Sequence, residues 1–237
     1  MPHTNFNFAQ LVRYLHLPEK AVQKLVDCGS IPSRRVNGEL VFSRDEVHRW
    51  LESKIGGTED DDELAHVETA LDHSVPPGAI EETVSIVQLI PEGGIALPLS
   101  AKTRDSAIRS MVKLAGNTGL LWDPEKMTDA IKEREELHST ALDNGVALLH
   151  PRRPMPAILG ETFIVLGIVG GGIPFGSSFG NLTDIFFLLA SMDDRVHLRV
   201  LARLSRILTA PKFMSQLRDA TNETEIRRLI ATTEAAF

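Results

Sequence analysis

Cysteine is almost absent: Cys28 is the only one in 237 residues. That excludes an intrachain disulfide framework and a thiolate zinc site, and it points to a reducing compartment. Long apolar runs are missing too. The longest, Phe163 to Val169, is far shorter than the ~20 residues a membrane-spanning helix needs. No N-terminal apolar run resembles a signal peptide. The expectation is a cytoplasmic chain with no membrane insertion. Nucleotide and metal signatures are also missing. "GIVGGGIPFG" (residues 167–176) is rich in glycine but holds neither GxGxxG nor a Walker lysine. It reads as a loop flanking a pocket. No paired-histidine spacing such as HExxH occurs, so no metal and no cofactor are expected.

What remains is ordinary globular composition, 43% hydrophobic and 24% charged, with a net charge of −7. The charge is uneven. Residues 1–55 hold eight Lys/Arg against six Asp/Glu, about +2, so the rest carries about −9. A weakly basic head on an acidic body suggests two domains. The stretch "GGTEDDDELAHVETALDHSVPPGA" (residues 56–79) opens on Gly-Gly, carries the acidic run Glu59–Glu63 and closes on Pro-Pro-Gly. It reads as an acidic linker, with room for one short helix near Leu64–Leu71. The expected domains are therefore 1–55 and 80–237.

In the head, Phe8, Leu11, Val12 and Leu15 recur at helical spacing, and Val22, Leu25 and Val26 continue after Pro18. Asn37-Gly38 between two strand-like runs is a hairpin signal. Ser43, with Glu46 three residues on, reads as a capping box before a helix carrying Val47, Trp50 and Leu51. The order is helix, helix, two-stranded wing, helix. "FAQLVRYLHLPEKAVQKLVDCGSIPSRRVNGELVFSRDEVHRWL" resembles the excisionase/MerR-type winged helix-turn-helix DNA-binding family over residues 6–52. In such a domain the second helix reads base edges while Lys and Arg meet phosphates. Lys20, Gln23 and Lys24 share one face of that helix, and Arg34 and Arg35 open the wing. These five are the expected DNA-contact residues. Pairing of two heads on two half-sites would make a homodimer.

In the body, buried strands alternate with amphipathic helices. "VSIVQLI" reads as a strand or a short helix. Ile108, Met111, Val112 and Ala115 mark one helix, and Asp123-Pro124 opens another. Val146–Leu149, Phe163–Val169 and Ile185–Leu189 read as strands. Asp193 or Asp194 caps a long helix, Met214 and Leu217 lie in a short one, and Asn222 caps the last. The expected class is α/β, a layered mixed sheet flanked by helices.

The apolar run Val146–Leu149 ends at once in His150, Pro151, Arg152 and Arg153. An imidazole at a strand mouth beside fixed positive charge suits a group that handles phosphate. "REELHSTALDNGVALLHPRRP" (134–154), "TDIFFLLAS" (183–191) and "DDRVHLRVLARLSRIL" (193–208) together resemble the IIA phosphocarrier domains of the bacterial phosphotransferase system, fructose/mannitol and nitrogen-regulatory class. The resemblance implies His150 as phosphoryl acceptor and His197 as a second active-site histidine. It implies Arg134 as the arginine holding the phosphoryl group, and Ser139 and Thr140 as a hydroxyl pair beside it. Two positions depart: Pro151 stands where the family has Gly, and so does His138, here an added imidazole at the site with Arg152 on its rim. The implied partners are a phosphorylated HPr-like carrier protein as donor and a downstream regulatory protein. The expected function is a regulatory phosphocarrier signalling through protein contacts or its DNA-binding head. The alternatives are a catalytically silent interaction or transcription-regulatory module and a sugar-transport IIA component.

Overall fold

The computed structural model describes residues 5–15, 18–44, 46, 47, 49–51, 84–177 and 179–237. The acidic stretch 56–79 and its expected helix lie outside the described residues. The chain divides into two compact units, Met1–Thr83 and Val84–Phe237.

In the first unit β1 (Asn5–Phe6) precedes α1 (Phe8–Leu15), α2 (Glu19–Asp27), β2 (Arg34–Val36) and β3 (Glu39–Ser43). The three strands form one antiparallel sheet in the order β1-β3-β2. The wing closes as its sequence demands: Asn37 and Gly38 take φ of 53° and 87°, the pair of positive values that a two-residue hairpin turn needs. Helical residues follow directly at 44, 46, 47 and 49–51. Leu11, Leu15, Val22, Ile31, Phe42, Val47 and Leu51 are buried and form its small core.

The second unit is built on a mixed four-stranded sheet. Its strands are β4 (Ile95–Ala96), β5 (Val146–Leu149), β6 (Phe163–Pro174) and β7 (Leu182–Ala190), in the order β4-β6-β7-β5. β4 runs parallel to β6 and β5 parallel to β7, while β6 and β7 are antiparallel. Five helices flank the sheet: α3 (Arg104–Asn117), α4 (Pro124–Leu137), α5 (Asp194–Thr209), α6 (Phe213–Asp219) and α7 (Glu223–Glu234). The caps read from sequence are in place. Asp123 accepts from Lys126 N–H, Asp193 from Arg195 and Val196 N–H, and Asn222 from Glu225 N–H. Ala147, Leu149, Val165, Phe186 and Leu188 pack with Met111, Met127 and Ile131 of α3 and α4. The alternate residues Leu148, Ile164, Phe187 and Leu189 are just as buried, so both sheet faces are covered.

Two expectations need correction. "VSIVQLI" is neither strand nor helix. It is hydrogen-bonded turn, with Leu89 N–H on Ser85 O and Ile90 N–H on Val87 O; Ile86 N–H goes to the Glu234 carboxylate at 2.7 Å, and Leu89 O takes one bond from Ile164 N–H of β6. "GIVGGGIP" is not a loop. It is the far half of β6, which slips register between Ile168 and Ile173 and then pairs with β7 again at Thr183 and Leu182. The glycines form a bulge inside the ladder rather than ending it.

Candidate phosphoryl site at the strand ends

β5 and β7 are parallel neighbours, with Leu149 opposite Leu188, so their carboxyl ends open on the same edge of the sheet. Ligand sites in α/β sheets form at such ends. His150 is the first residue past β5, and Ser191 the first past β7. His197 sits in the opening turn of α5, which Asp193 starts, and its backbone N–H bonds Asp193 O at 3.0 Å. The fold thus brings together two imidazoles 47 positions apart in sequence. Their ring centroids are 5.0 Å apart with planes tilted by 55°, and both residues are 3% exposed.

Each ring is oriented by its Nδ1. His150 Nδ1 lies 2.7 Å from Leu148 O. A carbonyl only accepts, so Nδ1 carries the proton, and in the neutral ring the lone pair then falls on Nε2. His197 Nδ1 lies 3.4 Å from the buried Ser191 hydroxyl, which can give or take that bond.

Arg134 is buried in the last turn of α4 and donates from Nη1 to His138 O at 2.8 Å. His138 ends that helix as an exposed residue, so its carbonyl is engaged while its ring faces solvent. Thr140 is buried, and both its N–H and its hydroxyl donate to the Glu135 carboxylate. Ser139 Oγ accepts from Ala141 N–H at 3.2 Å. Arg152 is exposed. Sequence reasoning passed over Ser191 and Arg195. Arg195 lies two residues before His197 on α5, and its Nε and Nη2 are buried with no hydrogen-bond partner among the described residues. Its only sequence signal was its place beside the helix start. No group of three or more His, Cys, Asp or Glu suited to a metal occurs among the described residues, and no described helix is long and apolar enough to cross a membrane.

Residues 88–233, more than half of the chain, match the family described as phosphoenolpyruvate-dependent sugar phosphotransferase system, EIIA 2. The chain belongs to this EIIA 2 family. Residues 6–55 match the helix-turn-helix domain family. The EIIA 2 region is 28% identical over 149 residues to the Bacillus subtilis fructose-specific EIIABC component, covering 62% of this chain and 23% of that protein. It is 27% identical to a nitrogen regulatory protein of Bradyrhizobium diazoefficiens, covering 62% of this chain and 94% of that one. The chain thus spans about a quarter of the fructose-specific relative and nearly all of the nitrogen regulatory one. The fold is that of solved IIA domains. IIA-Ntr from Neisseria meningitidis matches with a TM-score of 0.55 at 19% identity, over 61% of this chain and 98% of that one. IIA mannitol from Escherichia coli matches with a TM-score of 0.53 at 22% identity, over 59% and 96%.

In the helix-turn-helix unit, Lys20, Gln23, Lys24 and Arg35 are exposed. Gln23 Nε2 donates to Asp27 Oδ1 at 2.7 Å, and Arg34 is ion-paired to Glu46 while its side chain stays 72% exposed. Two of the five candidate DNA contacts are therefore already engaged within the unit.

Proposed function

We propose that the EIIA 2 domain accepts a phosphoryl group on His150 Nε2 from a phosphorylated HPr-like carrier protein. The observation that carries this reading is the Nδ1–Leu148 O bond of 2.7 Å on a ring set 5.0 Å from a second imidazole. That bond presents a lone pair on Nε2 without removal of a proton. As Nε2 forms its bond to phosphorus, the donor's P–N bond breaks and the electron pair returns to the donor imidazole. No oxidant or base is consumed. The transition state is stabilised mainly by positioning and by donors to the equatorial oxygens. His197 can donate one such hydrogen bond. Arg134 and Arg195 supply planar guanidinium donors suited to a phosphoryl group. The apolar residues Leu148 and Leu149 keep water from the adduct.

The downstream step is regulatory in this reading. A phosphoryl group adds about −1.5 to −2 charges at neutral pH, which alters contacts with a protein partner or the use of the helix-turn-helix unit on DNA. Support comes from the nitrogen regulatory relative, which the chain covers almost end to end, and from the helix-turn-helix match. In the head, Lys20, Lys24, Arg34 and Arg35 meet phosphates and Gln23 meets base edges, with two heads pairing as a homodimer on two half-sites. A role as a sugar-transport IIA component is the weaker reading, because the chain also carries a helix-turn-helix unit.

One observation favours a silent interaction module instead. Pro151, buried directly after His150, offers no N–H to a phosphoryl group. Mass spectrometry at alkaline pH, after exposure to a phosphohistidine donor, separates the two. The carrier reading expects one phosphoryl group on the wild type and none on His150→Ala. An unmodified wild type would leave the silent module standing.

A further inference from the structure

We infer that Glu135, braced by Arg104, is a positioning residue that sets the ring tautomer of His150 from the far side of the α4–β5 connection. Glu135 follows Arg134 directly, yet the two side chains do different work. The Glu135 side chain is 2% exposed, so its carboxylate has left water almost entirely. Such a group is costly unless charge and hydrogen bonds compensate it. Here they do. Arg104 Nη2, from the first residue of α3, donates to Glu135 Oε2 at 2.8 Å and to Glu135 O at 2.7 Å. Thr140 N–H donates to Oε1 at 3.1 Å, and the Thr140 hydroxyl donates to the same oxygen. The guanidinium carbon of Arg104 lies 5.3 Å from the Phe175 ring centroid, which fixes the cation from its other side.

The consequence reaches His150 through the backbone. Thr140, with both its donors taken by Glu135, turns its carbonyl to Leu148 N–H at 3.2 Å. Leu148 in turn offers its own carbonyl to His150 Nδ1 at 2.7 Å. An unbroken series of contacts therefore runs from Arg104 through Glu135, Thr140 and Leu148 to the imidazole. Every link after Arg104 is buried. The proton on Nδ1 depends on where Leu148 O sits, and Leu148 is held by the corner that Glu135 fastens. The Thr140 hydroxyl thus serves the Glu135 carboxylate. The meaning for catalysis rests on the phosphoryl-acceptor reading of His150, whereas the effect on its tautomer does not.

The test is carried out on the full chain. Ring 15N spectra of His150 report which nitrogen is protonated. The rate of phosphoryl uptake from a phosphorylated HPr-like carrier is measured beside them. Thr140→Val keeps the shape and the backbone N–H but removes the hydroxyl donor; Glu135→Gln keeps the volume but removes the charge. Both variants are expected to shift His150 from Nδ1–H towards a mixture of tautomers. Uptake should slow by about tenfold, the scale on which outer partners act on oriented imidazoles. Thr140→Ser, which restores the hydroxyl, should return both readouts to the wild-type values. If both variants lose thermal stability but keep the wild-type tautomer, Glu135 is only a structural brace and the inference is overturned. If the wild type takes up no phosphoryl group, the acceptor reading falls, yet the tautomer comparison still decides for or against Glu135.

Discussion

The two ends of the β5–β7 strand pair are made from the same apolar run and finished in opposite ways. At the amino ends, Arg218 of α6 grips Asp184 with two bonds, Nε to Oδ2 at 2.6 Å and Nη2 to Oδ1 at 2.9 Å. The same Nη2 holds Asn144 O at 2.6 Å. The Asp184 hydrogen bonds raise the Arg218 pKa above its ordinary value, so the guanidinium keeps its charge at any physiological pH. A cavity of about 340 Å³ lies beside it, lined by Asp143, Gly145, the glycine bulge of β6 and Arg218. At the carboxyl ends stand His150, Ser191 and His197, with each ring oriented through its Nδ1. Where the fold needs a fastening it uses a charge pair. Where it presents the candidate site it uses two imidazoles and a hydroxyl.

Substitutions at the two ends should therefore differ in kind. The largest effect is expected at the reactive end: His150→Gln should reduce phosphoryl incorporation to background while the melting temperature stays within a few degrees. Incorporation persisting at another residue would break the comparison. His197→Gln should slow uptake by about a hundredfold or more, the range of general acid–base groups, without changing the final stoichiometry; single-turnover labelling reads this directly.

At the fastened end the cost falls on stability. Gly145 has φ of +89°, and a Cβ there would stand 2.7 Å from Arg218 Nη2 and 2.8 Å from Asp184 Oδ1. Gly145→Ala should destabilise the domain by about 2–3 kcal/mol through strain and displacement of the ion pair. At about 2–4 °C per kcal/mol, calorimetry should show it clearly. Arg218→Ala should cost less, about 1 kcal/mol, because both side chains are partly solvated and the pair is screened. That loss should shrink in high salt, and phosphoryl uptake should match the wild type; slowed uptake would show that the two ends are coupled.

The smallest effect concerns pH. The Thr221 backbone N–H, then its hydroxyl, holds the Glu225 carboxyl below its usual pKa at the start of α7. A carboxylate depressed in the folded state contributes stability above its unfolded pKa and loses it as pH falls through the folded one. Glu225→Gln should therefore lower stability slightly at neutral pH, flatten the acid limb of the pH–stability curve, and match the wild type once pH has fallen below the folded-state pKa.

Much of the fold was readable residue by residue. Asn37-Gly38 dictates its turn because few other pairs accept two positive φ values. Asp123, Asp193 and Asn222 each announce a helix start because their short side chains reach the first unpaired N–H groups. Val146–Leu149 and Ile185–Leu189 read as strands because both sheet faces are covered and the apolar run is continuous. The glycine run of β6 misled because nothing local pairs it; only β7, returning past the hairpin, supplies the hydrogen bonds that make it strand. Glu135 was invisible for a related reason. A glutamate in an "REE" run looks like solvated helix surface until Arg104, 31 residues earlier, is placed against it.

The sequence by itself determined the chemistry on offer: one cysteine, no spanning run, and imidazoles and guanidinia placed beside apolar strands. Side-chain type and local spacing carry that information without any fold. Tertiary structure alone decided that His150 and His197 lie 5.0 Å apart and which nitrogen of His150 holds the lone pair. Both depend on parallel strand register and on one backbone carbonyl. Register is a relation between segments distant in the chain, and no single segment encodes it.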